Sequence, residues 1–435
     1  MRAATIIRLA LLVSHVLHVG GFCLPWMSTW YFSCRHTFED TLRSELYRSG
    51  AKEGATKLVA PGLLRVDRLP EDSLHGAWDL TYALQALPDA RAVGSEGASI
   101  AELAREAIMA VGLEDGGSSV EMLRSAPKGA LAIHALVTDA ALCAHARRLA
   151  SFLTSAANAQ VPDQFRGTPQ AKAKMHRRCS TVVERIAKSL KAVYPAARAV
   201  KADEEPAAGD RWLMQVLLLD THEAAVSLVR CCAAQAGGTW PSWHLAAGLA
   251  DVDIDKTAEP MPSSAYRKLE EAFRTMQVSP SASDRCVDLG ASPGGWTKAL
   301  RRYGALITAV DRSPLRADLM QDPQVDFVQG DAFAFNPLDI DRGGGMGPVD
   351  WMVSDVIAEP HRVPGLLEAW CQGKWARRIV ATMKFKGDPD WHELTRARDV
   401  AVGAGYAFRS KHFFNNKNEV TLMLAQHGPQ HRPTT

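Results

Sequence analysis

Residues 286–296 read CVDLGASPGGW and hold the densest chemistry in the chain. Cys286, Val287 and Leu289 have strand character and run into a glycine turn, and Trp296 with TKALRRYG suits a helix. A strand that enters a helix through glycines lets a ligand approach the backbone closely and aims free N–H groups at it. The third spaced glycine of a dinucleotide site is missing, so Gly290, Gly294 and Gly295 with Ser292 and Pro293 point to another nucleoside ligand. Four acids stand at the ends of successive strand patterns: Asp288, Asp311, Asp331 and Asp355. Asp311 follows the turn by about 20 residues, the usual place for a ribose-binding carboxylate. Asp331 in QGDAF is placed to reach an adenine amino group, and Asp355 in MVSDV ends the fourth strand pattern. Lys384 ends the fifth in TMKFK, Glu419 opens the last, and Lys268 lies on the helix before the sheet. A lysine beside a carboxylate and a cationic ligand is a candidate general base.

The elements that must position these groups form a regular alternation from residue 264 onward. Helix AYRKLEEAFRTM precedes CVDLG, and later strands read LITAVD, VDFVQ, VDWMVS, RIVATMK, AFRSKHFF and EVTLMLA. Near-continuous apolar strands alternating with helices imply a mainly parallel sheet covered on both faces. Only NNKN joins the last two strands, too short for a parallel crossover, so they form an antiparallel hairpin.

Ahead of this sheet the pattern changes. TWYFSCR and FEDTLRSELYRSG read as strand and helix, LVAPGLLRVDR as a strand pair, SIAELAREAIMAVGL as a helix and ALAIHALV as a strand. Residues 141–201 read as helical and basic, with nine Lys/Arg and one acid between Lys172 and Lys201. Val182, Val183, Ile186, Leu190 and Val193 share one face; Lys174, Arg177, Arg178, Arg185, Lys188 and Lys191 lie mostly elsewhere and suit phosphate contact. RWLMQVLLLD reads as a buried strand, HEAAVSLVRCCAAQ as a helix, and residues 237–264 as a linker rich in turn residues. Residues 1–28 form an arginine-flanked apolar leader with no acid before Glu39, similar to a targeting segment; Met27 is the favoured start of the folding chain.

The 435 residues suffice for two or three domains. Hydrophobic residues make up 47%, enough for packed cores, and a net charge of +2 confines any nucleic-acid surface to local patches. The eight cysteines are scattered without a C-x-x-C pair, which suggests neither a zinc knuckle nor a disulfide framework and suits a cytosol-like, cytoplasmic compartment.

The loop Asp-x-Gly-x-x-Pro-Gly-Gly resembles those that bind S-adenosylmethionine (SAM). With SSAYRKLEEAF before it and VD, GD, SDV, MK and NEVTL after it, residues 263–425 resemble the FtsJ-type ribose 2′-O-methyltransferases. The similarity is greatest to the bacterial large-subunit ribosomal RNA methyltransferase M group, whose acceptor is a cytidine ribose. The resemblance implies a Rossmann-like methyltransferase sheet over 256–427 and a short tail at 428–435. Over the weaker match ahead of it, the resemblance implies a ferredoxin-like α+β domain at 29–135 and a THUMP-like RNA-binding region at 136–255. It implies a catalytic tetrad of Lys268, Asp355, Lys384 and Glu419. It implies SAM contacts from Asp288, Gly290, Ser292, Pro293, Gly294, Gly295, Trp296, Asp311, Asp331 and Asp355, and RNA as the partner. Rival expectations are a transfer-RNA or cap 2′-O-methyltransferase and a non-catalytic RNA-binding assembly factor. The intact set of two lysines and two acids speaks against the second.

Overall fold

The computed structural model describes residues 28–69, 80–114, 131–137, 169–191, 198–200, 211–220, 222–231, 260–336 and 348–426, with Gly117 and Ser119. The leader, most of the 237–264 linker and the tail lie outside these residues. The chain divides into two compact units, residues 1–233 with 242–248 and residues 234–241 with 249–435.

The first unit contains two sheets. Strands β1 (Thr29–Ser33), β2 (Thr56–Ala60), β3 (Leu63–Asp67) and β4 (Gln85–Leu87) pair antiparallel in the order β2-β3-β1-β4. Helix α1 (Glu39–Arg48) buries Leu42 and Leu46. The second sheet has the order β5-β9-β8-β6-β7, from β5 (Arg91–Gly94), β6 (Leu131–Val137), β7 (Arg198–Val200), β8 (Arg211–Leu218) and β9 (Glu223–Cys231). Helix α2 (Ile100–Ala110) starts with a capping box, in which the Ser99 side chain accepts from Glu102 N–H and Glu102 accepts from Ser99 N–H. With α3 (Pro169–Leu190) it packs on that sheet through Leu103, Ala107, Cys179, Val182, Ile186 and Leu190.

Two expectations are corrected here. Arg91–Gly94 and Leu131–Val137 both pair in the second sheet, so the division between sheets falls between β4 and β5 rather than near residue 135. HEAAVSLVRCCAAQ contains strand β9 rather than a helix, paired antiparallel with all of β8. Its run Ala224-Ala225-Val226-Ser227 is buried throughout, so it carries no period-3.6 signal to separate strand from helix. Tertiary pairing settles the matter: a tight turn returns the chain onto β8, with Leu219 and Asp220 N–H donating to Glu223 C=O.

The second unit is a seven-stranded sheet with order β12-β11-β10-β13-β14-β16-β15. Its strands are β10 (Arg285–Leu289), β11 (Leu306–Asp311), β12 (Val325–Gln329), β13 (Val349–Ser354), β14 (Ala376–Lys384), β15 (Tyr406–Lys411) and β16 (Glu419–Gln426). The first five are parallel; β16 runs antiparallel to both β14 and β15, forming the expected hairpin. Helices α4 (Tyr266–Met276) and α5 (Gly295–Arg302) share a core with the sheet through Leu269, Phe273, Leu300, Trp351, Val380 and Met423. The alternate strand residues Val287, Met352, Ile379 and Leu422 are equally buried on the other face. There α7 (Arg362–Gln372) and α8 (Trp391–Gly403) contribute Leu367, Trp370, Leu394 and Ala397; the short α6 (Ala317–Met320) precedes β12. Sheet order reverses at β10, between β11 and β13, and opens a crevice at the strands' carboxyl ends.

Candidate active site

The carboxyl edge of the sheet gathers residues far apart in the chain. Asp355 lies one residue past β13, and Lys384 is the last residue of the neighbouring β14. Because β16 is antiparallel, its first residue faces the same edge, and Glu419 sits directly opposite Lys384 in the ladder. Lys268 reaches in from the first turn of α4. That turn is held by the Trp296 indole N–H, which donates to Ala265 C=O at 2.8 Å.

These four side chains form one network. Lys268 Nζ lies 2.8 and 2.9 Å from the two oxygens of Asp355 and 2.9 Å from Glu419 Oε1. Lys384 Nζ lies 2.9 Å from Asp355 Oδ1, 3.0 Å from Asp355 C=O and 3.5 Å from Glu419 Oε2. Two ammonium groups thus face two carboxylates, and the buried charges compensate each other. Burial opposes the charge on Asp355, but the neighbouring ammoniums of Lys268 and Lys384 outweigh it and hold the carboxyl below its ordinary range. Accessibility separates the two lysines. The Lys268 side chain is 6% exposed and Lys384 24%, so Lys384 presents its nitrogen to an incoming group while Lys268 anchors the acids.

Thr382 completes the network, and sequence reading missed it. Its hydroxyl donates to Asp355 Oδ1 at 2.8 Å from a fully buried position. The available signal was strand periodicity, because residues 382 and 384 share a face of β14. Thr382→Val keeps the shape and deletes the donor. For the methyl transfer that the resemblance implies, the expected result is about a tenfold slower rate, equivalent to a charge-assisted bond of roughly 1.5 kcal/mol. Thr382→Ser should restore the rate, and SAM affinity should be unchanged in both. Equal single-turnover rates for Val and Thr would show that the hydroxyl does not orient Asp355.

The glycine turn sits beside this network. Gly290 and Gly294 have φ of +79° and +108°, which side-chain-bearing residues rarely adopt. A Cβ on Gly290 would come within 3.0 Å of Val356 Cα, so the segment after β13 lies directly on the turn. The Ser292–Pro293 bond is cis, and Ser292 Oγ donates to Pro314 C=O. Asp311 ties the turn to the end of β11, accepting from Ser292 N–H at 3.0 Å on one oxygen and Ser313 N–H at 2.8 Å on the other. Each oxygen retains a lone pair for a hydroxyl donor. Asp331 accepts from Phe333 N–H at 2.9 Å and pairs with Arg312 at 2.6 Å, and these two partners hold its carboxyl below the ordinary range.

Two residues expected at the ligand are turned inward instead. Trp296 is 3% exposed, packs in the core of the unit and spends its N–H on Ala265. Asp288 is 1% exposed and accepts from Thr297 Oγ1 at 2.7 Å, linking β10 to α5 beneath the turn. Both shape the site from behind. Strand-end position signalled Asp288, but side-chain direction is set by packing that the sequence does not display.

Asp311, Asp331 and Asp355 at the ends of three strands, with a glycine turn between them, fit a cationic nucleoside carrying ribose hydroxyls. Asp311→Ala removes the brace of the turn together with the carboxylate expected to accept from a cofactor ribose. SAM affinity is expected to fall at least tenfold, from loss of charge-assisted bonds of roughly 1.5–3 kcal/mol. Unchanged affinity by calorimetry would remove Asp311 from the site.

On α3, Cys179, Val182, Val183, Ile186 and Leu190 face the core as the periodicity requires, and Arg177, Arg185, Lys188 and Lys191 are exposed. Arg178 is corrected: its guanidinium donates to Ala98 C=O at 2.7 Å and serves the fold. Val193 lies outside the described residues, as does the side chain of Lys174.

Residues 261–377 match the model of the FtsJ-like methyltransferases. The match includes Lys268, the glycine turn and Asp355; Lys384 and Glu419 follow it in sequence and join them in space. Over 229 residues the chain is 33% identical to the ribosomal RNA large subunit methyltransferase M of Teredinibacter turnerae, covering 49% of this chain and 59% of that protein. It is 33% identical over 198 residues to the protein of the same name from Thauera aminoaromatica, covering 43% and 50%. The chain thus spans about half the length of the curated relatives it matches. What it shares with the FtsJ-like methyltransferases is a continuous segment, residues 261–377, that carries the glycine turn and half of the charged network.

Proposed function

We propose that the chain transfers a methyl group from SAM to the 2′-oxygen of an RNA ribose, with a cytidine of large-subunit ribosomal RNA as the acceptor. The observation that carries this reading is the compensated Lys268–Asp355–Lys384–Glu419 network beside the glycine turn. Bound SAM supplies a methyl on a sulfonium, which is already a good leaving group. The protein must therefore align the acceptor oxygen and remove its proton. Lys384 takes that proton once its own ammonium has released one to solvent, because an ammonium has no lone pair with which to accept. Asp355 holds Lys384 in place and stabilises its charge once protonated. Lys268 and Glu419 fix Asp355 and orient the ribose. Asp311 binds the cofactor ribose, and Asp331 its adenine.

The sheet β5–β9 with α2 and α3 is the proposed THUMP-like, RNA-gripping part of the first unit, and the sheet β1–β4 the ferredoxin-like one. The exposed cations of α3 support phosphate contact. Among the described residues no helix is long and apolar enough to cross a membrane. A cytoplasmic enzyme acting on ribosomal RNA before full assembly fits this reading. The test is a map of ribose methylation on total RNA from cells with and without the protein. Loss of one 2′-O-methyl cytidine from large-subunit RNA supports the proposal. Loss of a mark from transfer RNA instead, or of no mark, overturns it.

A further inference from the structure

Ile357 is 88% exposed, far more than any other large apolar side chain among the described residues. A single exposed isoleucine is ordinary on a protein surface. This one stands two residues past Asp355, at the rim of the charged network, on a segment held at three points. Asp355 C=O accepts from Lys384 Nζ at 3.0 Å. Val356 lies on Gly290 so closely that a Cβ there would be 3.0 Å away. Glu359 Oε1 pairs with Lys386 Nζ at 2.5 Å, which joins the segment after β13 to the one after β14. The backbone before Ile357 is thus tied to Lys384 and packed on the glycine turn, and the side chain faces water with nothing among the described residues folded against it.

We propose that Ile357 is the apolar contact for the acceptor nucleotide, packing against its base or sugar as the ribose enters beside Lys384; this rests on the reading of the site as an RNA ribose methyltransferase. A ribose can reach a recessed lysine only if its nucleotide leaves the stack of its neighbours, which exposes an apolar base face. An apolar side chain at the rim covers that face without reading its identity, since every base has one. The acceptor would therefore be held by an apolar contact two residues from Asp355, at the rim of the network proposed to act on its hydroxyl.

The test uses the full chain, labelled SAM and an unmodified in vitro transcript of large-subunit ribosomal RNA. Single-turnover methyl transfer is titrated with enzyme for wild type, Ile357→Ser and Ile357→Leu. The serine variant should need roughly tenfold more enzyme for half-maximal rate, the effect of losing one buried aliphatic side chain at an interface. Leucine should stay within about twofold of wild type. SAM affinity and thermal melting should not change in either, because the side chain touches neither the core nor the glycine turn. A serine variant that titrates like wild type overturns the contact. So does one whose weaker transfer is matched by weaker SAM binding or lower melting, since the residue would then act on the segment itself. A wild type that binds SAM and methylates no RNA overturns the proposed function, and the contact with it.

Discussion

Replacing Lys384 with alanine is expected to abolish methyl transfer while leaving SAM binding, RNA binding and folding close to wild type. The 2′-hydroxyl must lose its proton as it attacks, and removing a positioned base costs about 10²–10⁴-fold in rate. Lys384 is the accessible cation of the network, and the rest of the network does not need it to persist. Without it, Asp355 retains both bonds from Lys268 and the hydroxyl of Thr382, and Glu419 retains Lys268. Loss of activity by unfolding is therefore not expected, and melting measured in parallel checks that point. Lys384→Arg is the sharper variant. It preserves the positive charge and the pairing with Asp355, but a guanidinium stays protonated and cannot accept the hydroxyl proton. It should be as inactive as alanine in single-turnover transfer from labelled SAM at saturating enzyme. An arginine variant with a near-normal rate would reduce Lys384 to a positioning role.

The parts of this site that were legible in the sequence are those fixed by strand ends. In a parallel sheet the ends of neighbouring strands meet at one edge, so Asp311, Asp355 and Lys384 could be brought together from pattern alone. The connection NNKN made the last two strands antiparallel, but Glu419 entered the site through the resemblance, and its place opposite Lys384 comes from the pairing of β16 with β14. What was illegible depends on side-chain direction and on pairing across long separations. Trp296 looked like a ligand contact because it follows the glycines, and only packing shows it serving the start of α4. Strand β9 was hidden because a strand buried on both faces has no polar alternation. Thr382 was passed over because threonine in a buried strand is ordinary until a carboxylate is found 2.8 Å away.

Asp288 leads to the largest expected effect on stability. It is wholly buried beneath the glycine turn, with the Thr297 hydroxyl as a hydrogen-bond donor. Burial pushes its carboxyl up to about 7; the Thr297 bond opposes the rise, and the negative fields of Asp355 and Asp311 add to it. In the unfolded chain the same group titrates near 3.8. Below pH 4 both states hold the proton and Asp288 contributes nothing to the pH dependence. Between pH 4 and 7 the unfolded chain releases its proton while the folded chain keeps it, so stability falls as pH rises. Above pH 7 the full cost is present, about 4 kcal/mol for a difference of some three units at 1.36 kcal/mol each. Asp288→Asn keeps an oxygen to accept from Thr297 and cannot ionise. The variant should match wild type near pH 3, exceed it increasingly up to about pH 7 and by a constant margin above that, when the protection of β10 and β13 amides is followed by hydrogen exchange. Those strands report on the second unit alone, which matters because two units need not unfold together. Parallel pH profiles for the two proteins would show that Asp288 is charged in the folded chain throughout this range, and that its burial is compensated by a partner other than Thr297.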